Sequence, residues 1–330
     1  MTCLRNIRNR AGRLELGLSL SPALLFAHPV SAHAPAPGTV QEAFFLYMLD
    51  PLSLLVLVII GGCYARGTYA LKKVLKQRAS LASSTGRRRR DLCFWLGWVS
   101  LCIALLSPID RLGEALFSVH MLQHELMIIV AAPLLVISKP MGVWLWGLPR
   151  RLADACVSVL HKPRLRQLWL FISSAGVAWL IYAITLWGWH LPFLFEASLH
   201  SYWIHTLQHL SFLLAALIFW WPLVHSGAWN NLLGCLYIFT TTIHSSLLGA
   251  ALTFSPFIWY PSYLTRTEQW GIDPLVDQQL GGLIMWLPAG FVLICVGLLQ
   301  LARGLKSTET RSAYLSTTLS LETSDHEKSS

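Results

Sequence analysis

The chain has 330 residues, of which 55% are apolar and 12% charged, about half the charged share of an ordinary soluble domain. That composition excludes a disordered chain and argues against a soluble globule. The net charge of +9 is not the footprint of a nucleic-acid binder, because apolar blocks split the basic residues into separate clusters.

In chain order, residues 1–34 carry Arg5, Arg8, Arg10 and Arg13, then the apolar run Leu16 to Ala27, then Ala32-His33-Ala34 ahead of Pro35. This three-part layout reads as a signal peptide cleaved after Ala34, with an uncleaved first helix as the alternative. Either way the following chain starts outside. Residues 35–305 then form a transmembrane domain, and 306–330 a Ser-, Thr- and Glu-rich cytoplasmic tail whose composition predicts disorder.

Seven apolar blocks occupy about 45–64, 92–109, 116–138, 168–190, 203–222, 232–254 and 281–301. Each is near the length needed to cross a bilayer, so the fold class is an all-α integral membrane protein, a bundle of seven transmembrane helices. Starting outside, seven crossings leave 65–91, 139–167 and the tail in the cytoplasm. The 25 Lys and Arg concentrate in those segments and in the leader, as the positive-inside rule predicts. The moderately apolar stretch 141–160 holds Arg150, Arg151 and Asp154 and reads as an amphipathic piece on the inner surface, not an eighth span. Arg87 to Arg90 read as a cytoplasmic retention charge. No C-x-x-C pair occurs, so neither a disulfide framework nor a thiolate zinc site is indicated.

The chemistry concentrates in histidines, which are costly at membrane depth and therefore functional candidates. The third and fifth blocks share one pattern, His120-Met121-Leu122-Gln123-His124 and His205-Thr206-Leu207-Gln208-His209. Histidines at i and i+4 share a helix face, with the intervening Gln123 or Gln208 as a hydrogen-bond partner for an imidazole. Both blocks run from outside to inside, so on neighbouring helices the four rings meet near the outer surface. His190 and Asp50 fall at a similar level and His244 somewhat deeper. Asp277 and Gln278 open the last block from the same side, with Met285 two turns below. The reading is a metal site of His120, His124, His205 and His209, with His190 and His244 as further ligands. Asp50, Gln123, Gln208, Asp277, Gln278 and Met285 form its surroundings. Ligand chemistry puts copper first and leaves haem iron and zinc open. His124-Glu125 begins an H-E-x-x-H motif that fails at Ile128, and no Gly-rich phosphate loop or G-x-S-x-G elbow appears. A metal-handling factor is expected in place of an enzyme.

Several ordered motifs, from Ser118 to His124 with Ala132-Pro133-Leu134-Leu135, through Trp189-His190-Leu191-Pro192 and Phe219-Trp220-Trp221-Pro222, to Asp277 to Trp286, resemble the polytopic CtaG family. These are multi-span assembly factors of the caa-type cytochrome c oxidase in bacteria. The resemblance covers about 41–305. It implies a multi-pass protein of the bacterial plasma (inner) membrane that works with cytochrome c oxidase subunits, in contact with lipid and not nucleic acid, and helps insert copper. Two other readings stay open. One is a b-type membrane cytochrome with a cross-helix pair such as His120 and His205 ligating haem, and the other is a copper transporter.

Overall fold

The computed structural model describes residues 50–77, 84–225 and 231–329; the segment 1–34 read as a signal peptide lies outside them. Among the described residues the architecture is helical throughout, with no strand. Helix α1 spans Pro51–Gln77 and α2 Ser84–Leu106. Ser107 then caps α3, Pro108–Ala115, by accepting the Ile109 N–H, and Pro108 sits in the first turn where its missing N–H costs nothing. The chain bends by 46° there.

The third span is one rod in three parts: α4 Phe117–Glu125, a π turn Leu126–Ala131, and α5 Ala132–Ser138. Pro133 accounts for the middle part. It has no N–H to offer, and the wider i→i−5 pairing, seen where Ala132 N–H meets Met127 O, absorbs an extra residue. The carbonyl that position 133 would pair in this register, Ile128 O, instead accepts the Trp220 indole N–H at 2.9 Å.

Short helices follow, α6 Met141–Gly147, α7 Arg150–Leu160 and α8 Pro163–Ile172. At seven residues α6 reaches about 10 Å, far short of a bilayer, in keeping with a surface piece. Its Gly147 and Gly67 of α1 let the two backbones touch, because a Cβ at either would strike the other helix's main chain. Trp144 donates to Ile60 O at 3.1 Å across the same seam.

The fourth span is broken. Helix α8 meets α9, Ala175–Trp189, at a 65° bend. Ser173 and Ser174 cause it by turning their hydroxyls back onto Trp169 O and Phe171 O at 2.6 and 2.7 Å, which competes with helix continuation. Then come α10 Pro192–His200, α11 Tyr202–His225, α12 Asn231–Thr253, α13 Tyr263–Arg266 and α14 Pro274–Ser329. The backbone of α14 remains helical through Ser329, where composition predicts disorder past 305; a formed helix propagates easily through Leu, Ala, Glu and Lys. Among the described residues five helical rods are by themselves long and apolar enough to cross a membrane, and the two bent pairs, each taken as one span, bring the total up to seven.

Two cores hold the bundle. One joins Phe117, Tyr182, Phe195, Phe212, Phe219, Leu248 and Tyr260; the other joins Leu57, Tyr64, Phe94, Leu101 and Met127. Helices α12 and α14 make the most extensive helix pair. Gly282 permits their approach, since its Cβ would stand 2.8 Å from Gly249 O, the small-residue contact that membrane helices favour. At one end of the bundle α3, α10, α13 and the starts of α4, α11 and α14 gather: Tyr263 Oη donates to Gly113 O at 2.9 Å and Arg266 to Glu114 O at 2.8 Å. That end carries the histidines.

Candidate metal centre

Helix α4 starts under tension of supply: its first N–H groups have no partner within the helix. Asp277 of α14 provides one, accepting Phe117 N–H at 2.6 Å, Ser118 N–H at 3.2 Å and the Ser118 hydroxyl. So fixed, α4 presents His120 and His124 one turn apart, with ring centroids 4.4 Å from each other. On α11, His205 and His209 stand 4.2 Å apart. The pairs face each other, with centroids at 5.6 Å for His120 and His205, 6.1 Å for His120 and His209, and 5.4 Å for His124 and His209. One ring nitrogen each of His120, His205 and His209 lies within 4.8 Å of the others; His124 borders that trio from one turn deeper.

Phe195 lies 5.1 Å from the His120 ring and stacks on Tyr260 at 4.1 Å, which in turn stacks on Phe117 at 5.1 Å. This aromatic roof, with Phe212 beneath at 4.5 Å from His124, leaves His120 1% and His124 3% exposed. Both nitrogens of His120 and His124, and Nε2 of His205 and His209, are buried without a hydrogen bond, although Gln208 and Gly113 lie close to His120. Burying polar atoms unpaired is costly. Each neutral ring has one lone pair, and a cation held among the rings would give those lone pairs the partner they lack, so the residues fit a metal. The donors are all imidazole nitrogens. Met121 lies against Gly281 of α14, and Met127 belongs to the other core with Cys102 beside it.

His190 is buried beside this group, 6.3 Å from Phe195 and 6.2 Å from Phe212. Its Nδ1 lies 2.7 Å from Leu186 O. A carbonyl only accepts, so Nδ1 carries the proton and Nε2 keeps a lone pair. His244 does not join: it packs on Trp179 at 5.2 Å and Tyr182 at 6.1 Å. Its nine-residue distance from the end of α12 carries it below the cluster. Glu125, with one buried unpartnered oxygen, follows His124 directly and lies near Tyr182.

The other residues of the expected surroundings have different work. Gln123 reaches no imidazole; its amide donates to Ala104 O at 2.9 Å and to Asp110 Oδ1 at 2.7 Å. Gln208 is fully buried beside His120. Gln278 pins the loop before α13, accepting Trp259 N–H at 2.6 Å and donating to Phe257 O at 3.0 Å. Met285 is core packing. Asp50 caps α1 through Ser53 N–H at 2.8 Å and accepts the Tyr202 hydroxyl at 2.6 Å.

Sequence reasoning missed Asp110, which sits in the first turn of α3 beside His205; the helix start Ser107-Pro108-Ile109-Asp110 was the available signal. Ser262, Glu196 and His200 also meet at the rim. The Ser262 hydroxyl and the Glu196 carboxylate, at 3.1 and 3.6 Å, approach the same nitrogen of His200, Nε2, which is not how a charge relay orders a nucleophile.

An uncharacterized protein of Mycobacterium leprae is 27% identical over 279 residues, covering 79% of this chain and 40% of that protein. Uncharacterized proteins of Mycobacterium bovis and Mycobacterium tuberculosis are each 23% identical over 286 residues, with the same coverage. The chain thus spans about 40% of the length of these curated relatives. No solved structure matches. The family model for the cytochrome c oxidase caa3 assembly factor, Caa3_CtaG, matches residues 62–307, most of the described bundle, and the chain belongs to that family.

Proposed function

We propose that the protein assists assembly of a bacterial terminal cytochrome c oxidase by binding copper at the His120, His124, His205 and His209 cluster and passing it to an oxidase subunit in the membrane. The observation that carries this reading is the convergence of three imidazole nitrogens from two helices within 4.8 Å, in a setting that leaves them otherwise unpaired. His190 adds a ring whose Nε2 has no hydrogen-bond partner at the edge, and a surplus of exchangeable imidazoles suits a site that must release its ion. The protein would sit in the plasma membrane with the cluster toward the outside and the C-terminus in the cytoplasm, as the basic segments 65–91 and 139–167 favour.

Haem is the weaker reading, because the space between His120 and His205 is bordered by His124, His209 and Phe195, with little room for a macrocycle. The test is copper content of the purified chain against a variant with all four histidines changed to Ala. Equal copper in both removes the site. Normal oxidase activity in a strain lacking the gene removes the assembly role.

A further inference from the structure

Three of the four clustered imidazoles are buried, whereas His205 keeps part of its surface exposed. Beside it stands Asp110, also partly exposed, and near enough for carboxylate and imidazole to interact electrostatically. His205 also offers a ring nitrogen within 4.8 Å of those of His120 and His209. It therefore touches both the rim and the interior.

Asp110 is held in place. Gln123, from the turn between the two α4 histidines, donates to Oδ1 at 2.7 Å and ties itself to α2 through Ala104 O. Farther along α3, Gly113 lets the helix lie directly on α4, since a Cβ there would meet the His120 main chain at 3.2 Å. The far turn of α3 is fastened to the roof by Tyr263 and Arg266. The first turn, with Asp110, is left facing His205. The charged neighbours are the paired Arg111 and Glu114, at 3.1 Å, Arg266 on the Glu114 carbonyl, and Asp50 on Tyr202, so the three carboxylates of Asp110, Glu114 and Asp50 outnumber two guanidiniums at this edge.

Resting on the copper reading above, we propose that Asp110 and His205 form the port by which a d-block cation reaches and leaves the buried imidazoles. Asp110 receives the hydrated ion, whose charge the local acidic field draws in. His205 then takes it as water leaves, and His120 and His209 complete the transfer as the carboxylate lets go. Each new ligand bond replaces a water or an earlier ligand, and no electron moves. This explains why the Gln between the α4 histidines serves a carboxylate and not a ring.

The experiment mixes the full chain in detergent with Cu2+ and follows tryptophan quenching by stopped flow, with copper per chain measured at equilibrium. Asp110→Asn is expected to keep the stoichiometry while slowing association about tenfold or more and flattening its dependence on salt. Asp110→Glu, which restores the charge, is expected to recover the rate. An unchanged rate in Asp110→Asn, a Glu variant as slow as the Asn variant, or a lost copper equivalent would each overturn the port. Absence of copper uptake by the wild-type chain would instead overturn the function proposed above, and the port with it.

Discussion

Asp277 on the last span accepts the backbone N–H of Phe117 at 2.6 Å from 160 positions away in the sequence. The contact makes α14 the N-cap of the helix that carries His120 and His124, so the two histidine pairs are aligned by a residue that touches neither. Asp277→Ala leaves two buried N–H groups unpaired, an expected loss of about 2–4 kcal/mol at the usual cost per buried donor. Thermal unfolding in detergent checks it; Asp277→Asn, which keeps an acceptor, is expected to lose less.

Copper itself is expected to stabilise the fold. A ligand that binds only the native state at 100 times its dissociation constant adds about 2.7 kcal/mol. The wild-type chain should therefore melt at a higher temperature with Cu2+ present, and the variant with all four histidines changed to Ala should not. A similar rise in both places the binding elsewhere.

His190 offers a graded test. Its Nδ1 proton is committed to Leu186 O, and Nε2 borders the cluster. His190→Ala is expected to weaken copper binding about tenfold without abolishing it, the scale seen for residues that support a metal site. His120→Ala should cost more, because His120 belongs to the converging trio. Competitive titration against a chelator of known affinity separates the two.

Trp220 closes the carbonyl of Ile128 that Pro133 leaves open. Trp220→Phe keeps most of the apolar volume and removes only the donor, with an expected loss of about 1–3 kcal/mol, read from thermal melts. No change in stability would mean that another group satisfies Ile128 O.

Much of this was legible in the residues. The apolar blocks showed an all-α membrane bundle, of which five spans stand as single helices and two more are reached through bent pairs, and the repeated H-x-L-Q-H pattern identified the two helices whose rings meet. What escaped was whatever depends on a partner distant in sequence. Asp277 and Gln278 were read as neighbours of a metal because they share its level, yet backbone groups on α4 and in the loop before α13 claim them. His244 was counted as a further ligand although it lies somewhat deeper, and its place nine residues from the end of α12 sets it below the cluster against Trp179. The bends at Ser107 and at Ser173-Ser174 were hidden because both sides of each remain apolar.

The π turn sets the rotational phase between the two halves of the third span. An α-helix advances about 100° per residue, and the turn over Leu126–Ala131 accommodates one residue more than an uninterrupted helix would hold. Deleting a single residue there would let ordinary i→i−4 pairing close while the halves on either side kept nearly their present phase. The rings of His120 and His124 would still face α11, so the wider turn is the device by which this span carries one surplus residue just beyond His124 without dispersing the cluster.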